Sequence, residues 1–591
     1  MGNFFRLVFA SLIGSLLSFV FAILLFFFIV IGLVSGLKDP KVAAVKANSV
    51  LHLDLSYEIK ERTSKDIFAN FDFASMEAEN NLGLNDIIKN IRKAAEDDNI
   101  KGIYLELGMM PNGLATIEAI RNELVKFKES GKFVLAYGEV VTQKAYYLAS
   151  VADEVYINPV GYLELKGFSA QLTFFKNMLD RLEIKAQVFY AGQFKSATEP
   201  FRYDRMSEPN RKQVTEYLTD VYGHFISEIA ASRKLDYKAL DSIVFNLAIR
   251  QPEDAVKYKL VDELLYFDQI QAKLAEKTGK DNAKDLEFVS LGTYDNSPGK
   301  KTDFDSDKIA VLYAEGNIVD GDGDEDNIGS ARFRKALQEI REDDKIKALV
   351  IRVNSGGGSA LASEIMLREI NLVKAKGIPV IVSMGDVAAS GGYYIACFAD
   401  TIVAEPNTIT GSIGVFGLLP DMGGFFNNKM GITFDTVKVG QYSDFGTITR
   451  SLTAEEFSIL QVGVDTIYLK FKRRVAEGRG MTVDYVDSVG QGRIWTGVQA
   501  LENGLVDVLG GMDVALDIAK TKAGLKNYRV VDYPKQKDPL AKLFSEGGDE
   551  VEARFMKMQL GQYYPMWVKM QELKNVPTGV QMRMPFMMEV Y

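Results

Sequence analysis

Asp97-Asp98-Asn99-Ile100-Lys101-Gly102-Ile103 returns 246 residues later as Asp343-Asp344-Lys345-Ile346-Lys347-Ala348-Leu349. Further matches follow in the same order. Gly138-Glu139-Val140 and Tyr146-Tyr147 answer Gly385-Asp386-Val387 and Tyr393-Tyr394. Ala191-Gly192-Gln193-Phe194 answers Val439-Gly440-Gln441-Tyr442, and Leu260-Val261-Asp262 answers Leu505-Val506-Asp507. A register held over this distance marks a duplicated domain, because solenoid units repeat at far shorter periods.

Within the second copy, Ile309–Tyr313, Ala348–Val353 and Ile378–Ser383 read as short buried strands. Ser330–Arg341 and Ala360–Lys376 carry the 3.6-residue period of helices. Strands alternating with helices predict an α/β fold with parallel pairing in each half. The expected organisation is a repeat over 46–278, a polar linker over 279–306, a second repeat over 307–526 and an extension over 527–591.

The remaining composition sets bounds. The chain has 591 residues, 47% of them hydrophobic, and a net charge of -10. Without a Lys/Arg-rich run, that balance argues against nucleic acid as a partner. Cys397 is the single cysteine, so no intrachain disulfide can form. With only His52 and His224 beside it, a Cys/His zinc site is excluded, and no cofactor is expected. Asp320-Gly321-Asp322-Gly323-Asp324 begins like a calcium loop but has Glu325 where the motif needs glycine and Ala331 where it needs glutamate. The methionines of the tail, Met556 to Met588, suit an adaptable apolar surface.

No charge occurs between Arg6 and Lys38, and 7–34 is dominated by Leu, Phe, Ile and Val. That length spans a hydrocarbon core of about 30 Å. Residues 1–38 are therefore expected to be one transmembrane anchor contacting lipid through 7–34. The flanking charges leave its orientation open.

Two glycine clusters lie in the second half. Ser355-Gly356-Gly357-Gly358-Ser359 follows a buried strand, where free backbone N–H groups can face a developing oxyanion or simply form a tight turn. Ala389-Ser390-Gly391-Gly392 sits at the start of a short helix reaching about Phe398, where Ser390 is either an accessible nucleophile or an N-cap. Comparison of the halves separates these readings. At the position of Ser390 the first half has Gln143, and at the glycines it has Met110, Pro111 and Asn112. Conversely Gly192-Gln193-Phe194-Lys195-Ser196 carries a lysine where the second half has Ser443. Each copy keeps one part of a site. His52 on a strand and His224 on a helix read as structural, so a Ser-Lys dyad is the natural alternative to a Ser-His-Asp triad. Such a lysine must be neutral, which requires its pKa to fall by about three units from roughly 10.4.

Asn354-Ser355-x-Gly357-Gly358, Ala389-Ser390-Gly391-Gly392-Tyr393 and Thr410-Gly411-Ser412-Ile413-Gly414, with the duplication and the single apolar N-terminus, resemble the long form of the signal peptide peptidase A (protease IV) family. The resemblance implies two tandem ClpP/crotonase-like α/β domains. It implies Ser390 as nucleophile, Lys195 as general base, Ser412 orienting the lysine, and an oxyanion hole from Gly391 with Gly357 or Gly358. It further implies a bacterial cytoplasmic membrane protein with its catalytic body on the periplasmic side. The expected substrates are apolar signal peptide remnants, and the expected assembly is a homo-oligomer, a tetramer being favoured. The family has proline where this chain has Gly356. A crotonase-like acyl-CoA enzyme and an inactive scaffold of the same fold are the rival readings.

Overall fold

The computed structural model describes residues 6, 13–21, 45–64, 71–72, 77–78, 81–298, 307–536 and 581–584. Each half is built on a parallel sheet. In the first, the strands run Glu263–Leu264, Glu154–Leu163, Phe133–Val141, Ile100–Leu107, Ser49–Asp54 and Phe288–Ser290 from edge to edge. In the second, the matching order is Ile409–Gly411, Val380–Ala389, Ile346–Ser355, Lys308–Glu315 and Arg529–Tyr533, with Thr401–Ala404 also beside Val380–Ala389 and Val508–Leu509 beside Thr401–Ala404. The central strands are near-continuous apolar runs, as sheets covered by helices on both faces require; Leu349, Val350 and Ile351 are buried. The helices Ser330–Glu342 and Ala360–Ala375 start and stop close to where their periodicity predicts.

Two boundaries differ from expectation. Within 279–306, Phe288–Ser290 pairs in parallel with Ser49–Asp54, and the helix Leu291–Asp295 follows. Leu291 and Tyr294 are buried in the first-half core. The Lys- and Asp-rich flanks masked this three-residue strand. Likewise Arg529–Tyr533, in the stretch set apart as an extension, pairs with Lys308–Glu315. Both sheets thus end on the same outer strand, in which Val289 and Val531 take the same register position.

The halves are fused by a third sheet. Lys185–Ala191 of the first half lies antiparallel to Val415–Asp421 of the second, from Ala191 opposite Val415 to Lys185 opposite Asp421. Phe189 and Ala191 enter the second-half core, while Ile409 and Ile494 enter the first-half core. A buried ion pair adds a polar tie: Arg352 Nε donates to Glu61 Oε2 at 2.8 Å. Asp386 accepts from Thr116 N–H at 3.0 Å, capping the first turn of the helix Leu114–Lys128 from the other half.

Of the apolar stretch 7–34, only 13–21 is described, and it is helical. Among the described residues no helix is long and apolar enough to cross a membrane; the remainder of the expected anchor lies outside them. In the acidic loop, Asp320 Oδ1 accepts from Ser359 Oγ at 2.9 Å, and the described residues contain no cluster of three side chains able to hold a metal. Of the tail methionines, Met582 and Met584 are described.

Candidate active site

The strand Val380–Ala389 ends at Ser390, which enters the short helix Gly391–Ala396. Its φ of 55° lies in the left-handed region, a conformation that costs about 1–3 kcal/mol and must be enforced by its surroundings. Two backbone bonds enforce it: Ser390 N–H donates to Gly411 O at 2.8 Å, and Tyr394 N–H donates to Ser390 O at 2.8 Å. Gly392 has to be glycine, since a Cβ there would stand 2.6 Å from Ser355 O. Although Ser390 occupies an N-cap position, its hydroxyl caps nothing.

The hydroxyl instead meets Lys195. Beyond the inter-half strand Lys185–Ala191, the chain turns at Gly192 (φ 106°) and delivers Lys195 across the junction. Lys195 Nζ lies 2.9 Å from Ser390 Oγ, 3.0 Å from Ser412 Oγ and 3.1 Å from Ser412 O. The lysine is only 1% exposed. Burial holds its pKa well below the usual lysine value, with no carboxylate opposing the shift. A neutral amine has two hydrogens and one lone pair. Donating both hydrogens to Ser412 leaves the lone pair for the Ser390 hydroxyl.

Ser412 also has a left-handed φ, 52°, and is held by its N–H donating to Arg493 O at 2.7 Å. On the other side of Ser390, Gly357 N–H already donates to Ser355 Oγ at 3.1 Å. That commitment leaves the N–H groups of Gly358 and Gly391 as the candidate oxyanion donors. A Cβ on Gly391 would stand 3.1 Å from Gly358 N. Gly356 has no left-handed φ, and its carbonyl accepts from Met584 N–H at 2.6 Å.

Several contributors gave no catalytic signal in the sequence. Gly414 and Gly492 wall the lysine stem: a Cβ on Gly414 would stand 3.1 Å from Lys195 Cδ, and one on Gly492 2.6 Å from Lys195 Cβ. Phe194 N–H donates to Gln491 O at 2.8 Å, and Gln213 Nε2 donates to Phe194 O and Ser196 Oγ at 3.1 and 3.0 Å. The dense run Gly490-Gln491-Gly492 was the one clue available.

The same positions in the first half are closed. Gln143 Nε2 donates to Gly167 O at 3.0 Å, and Asn112 binds the backbone of Tyr57 and Ile59. Both histidines are engaged elsewhere. His52 pairs with Glu106 at 2.6 Å and His224 with Glu118 at 2.7 Å.

The sequence is similar to those of known peptidases. The model of peptidase family S49 matches twice, over residues 126–281 and 373–526. Protease 4 of Salmonella typhi is 36% identical over 458 residues, covering 76% of this chain and 73% of that protein. Protease 4 of Haemophilus influenzae is 34% identical, covering 74% and 72%. The chloroplastic serine protease SPPA of Arabidopsis thaliana is 33% identical, covering 80% and 70%. The chain belongs to peptidase family S49 and is a serine protease of the duplicated long form.

Proposed function

We propose that catalysis runs through a dyad shared between the halves, with Ser390 as nucleophile and Lys195 as general base. The observation that carries this reading is the 2.9 Å approach of Lys195 Nζ to Ser390 Oγ in a site without a counter-charge. Neutral Lys195 takes the hydroxyl proton as Ser390 attacks the scissile carbonyl. Gly358 and Gly391 N–H groups hold the oxyanion, and Ser412 fixes the amine's direction. Lys195 then protonates the leaving amine and activates the water that hydrolyses the acyl-enzyme. Ser390→Ala and Lys195→Ala are each expected to lower peptidase activity by about three orders of magnitude or more, with thermal melts close to wild type. Wild-type turnover in either variant contradicts the dyad.

The substrates we infer are apolar peptides bound as extended strands, signal peptide remnants in a bilayer being the natural source. Membrane anchoring through 7–34 rests on its uncharged length and on Leu16, Leu17, Phe19 and Phe21, whose side chains are exposed. On this reading the N-terminus lies in the cytoplasm and the catalytic body outside it. Resistance of membrane-bound protein to carbonate extraction tests the anchor, and release by carbonate overturns it.

Duplication also supports a homo-oligomer. The second-half counterpart of Lys185–Ala191 is 433–439, which joins no ladder among the described residues and leaves Val437 and Val439 almost wholly exposed. Repeating the inter-half pairing would seat it on 168–174 of a second copy, the counterpart of Val415–Asp421. Head-to-tail contacts of this kind close into rings, and a tetramer is the assembly we favour. Val437→Asp is expected to shift sedimentation to smaller species; an unchanged monomer in wild type contradicts it.

A further inference from the structure

An arginine without a partner closes the loop that carries Lys195. The strand Lys185–Ala191 leads to the lysine, the turn Ser196–Thr198 follows, and the four-residue helix Glu199–Arg202 comes next. Arg202 folds back over that strand. Its guanidinium carbon lies 4.1 Å from the ring centre of Tyr190 and 4.9 Å from that of Tyr203, within cation–π range. Yet among the described residues Arg202 has no carboxylate partner, and its Nε is sealed from solvent without an acceptor. The flanking carboxylates are committed elsewhere. Glu199 accepts from Ser207 and Asn210, and Asp204 faces Arg205. Leaving a buried donor of a cation unpaired is costly, so the position calls for an explanation.

The duplication shows what this position takes. Gly192-Gln193-Phe194 answers Gly440-Gln441-Tyr442, and at the same offset Arg202 answers Arg450 and Ser196 answers Asp444. The helices Glu208–Arg233 and Ala454–Arg479 are each 26 residues long and are capped by Ser207 and Thr453, which makes Asn210 the counterpart of Glu456. Arg450 uses all five of its N–H donors. Two go to Asp444, both at 2.8 Å, two to Glu456 at 2.7 and 2.8 Å, and one to Ser451 O at 3.0 Å. The first half thus keeps the arginine and has a neutral residue in place of each carboxylate. Its surroundings are open, since Tyr190 and Tyr203 are each more than a third exposed. They also lead to the site. The third sheet runs Lys185–Ala191, Val415–Asp421, Gln581–Arg583, Gly357–Ser359. Phe189 and Ala191 enter the second-half core, so Tyr190 lies on the other face. Phe416 stands opposite Tyr190 and Gln581 opposite Phe416. Opposed side chains share a face, and this row runs from Arg202 toward the glycine loop beside Ser390.

We infer that Arg202 is a carboxylate-binding subsite for the peptide substrate, taking the carboxylate of an acidic side chain or of the peptide's own C-terminus. This rests on the dyad proposed above, which places catalysis in the same loop. Ring contact engages the face of a guanidinium and leaves its in-plane donors for a fork, the geometry that a carboxylate matches. A peptide fragment released by an earlier cleavage ends in a carboxylate, so even an apolar remnant carries one such group.

Matched apolar peptides test this: a C-terminal amide, its free acid, and internal Glu and Gln versions of the amide. They are compared by kcat/KM in wild type and by dissociation constant for Ser390→Ala, a measurement that needs no turnover. A carboxylate is expected to be favoured over its neutral match by about tenfold or more. The acid–amide pair and the Glu–Gln pair show which source the fork takes. Arg202→Met is expected to bring that ratio close to one, and Arg202→Glu to reverse it, with thermal melts confirming that both variants fold. A ratio within twofold in both pairs, or one unchanged in Arg202→Met, overturns the inference. So does weaker binding of Arg202→Met to phosphatidylglycerol vesicles with the peptide ratio intact, which assigns the arginine to lipid. Hydrolysis and Ser390 labelling without any carboxylate preference overturn the subsite and leave the dyad standing. A tenfold binding preference in a Ser390→Ala variant that still hydrolyses peptide supports the subsite and contradicts the dyad.

Discussion

Gly492→Ala offers a sharp test of how the lysine is positioned, because it adds one carbon without touching a catalytic atom. A Cβ there would stand 2.6 Å from Lys195 Cβ, 2.6 Å from Lys195 N and 2.7 Å from Lys195 Cα. Restoring ordinary contact near 3.4 Å requires a displacement of about 0.8 Å. The backbone listens as well, since Gly492 has a φ of 78°. Left-handed alanine costs about 1–2 kcal/mol, and overpacking adds about 1–3 kcal/mol. A misplacement approaching 1 Å costs about a hundredfold in rate, equivalent to roughly 2.7 kcal/mol of barrier. The assay is kcat/KM on an apolar reporter peptide, paired with a thermal melt. The control is Gly480→Ala, which shares a left-handed φ, 64°, but has open space where its Cβ would go. Gly480→Ala is expected to lose stability alone, whereas Gly492→Ala loses stability and about two orders of magnitude in kcat/KM. Activity of Gly492→Ala within threefold of wild type refutes the claim that this glycine sets the lysine's position.

Three other outcomes follow from buried charge. Lys195 is depressed by burial, so the unfolded chain binds more protons than the folded one from the folded pKa up to the ordinary lysine value, and stability rises with pH there. Lys195→Met is expected to be inactive, and its stability relative to wild type should fall steadily as pH is raised, read by chemical denaturation. Glu405 shows the opposite sign: burial raises its pKa to about 8, so the folded state keeps a proton that the unfolded state loses, and stability falls as pH rises from the ordinary glutamate range to about 8. Glu405→Gln should gain on wild type between pH 5 and pH 8, by on the order of 2–4 kcal/mol, and a constant difference contradicts it. Arg352→Ala leaves Glu61 buried without its partner and is expected to cost about 3–5 kcal/mol; Arg352→Met with Glu61→Leu should recover most of that loss in the same melt.

The doubled α/β architecture was legible because Asp97–Ile103 and Asp343–Leu349 retain the same Asp-Asp-x-Ile-Lys pattern at the start of equivalent strands. Asymmetry between the copies was legible too, since Gln143 against Ser390 and Ser443 against Lys195 are differences of chemistry at matched positions. The geometry joining those differences was not. Pairing of Lys185–Ala191 with Val415–Asp421 links segments more than two hundred residues apart and leaves no local period in either. Nor could glycines such as Gly492 be told from turn glycines, because their role is to leave room for a side chain from the other half. The outer strands Phe288–Ser290 and Arg529–Tyr533 were missed for a third reason: they are short, and a single matched valine, Val289 and Val531, is too little to mark them as counterparts. Gln581–Arg583 was hidden further still, as its partners are backbone amides of a glycine loop and demand little of its own sequence.

The claim on which the account turns is that one nucleophile, Ser390, is activated by one base from the other half, Lys195. Covalent labelling with a serine-directed phosphonate probe, followed by peptide mapping, addresses it directly. The account predicts a single modified residue, Ser390, in wild type and loss of that label in folded Lys195→Ala. A label on another serine, or undiminished labelling of Ser390 in Lys195→Ala, contradicts it.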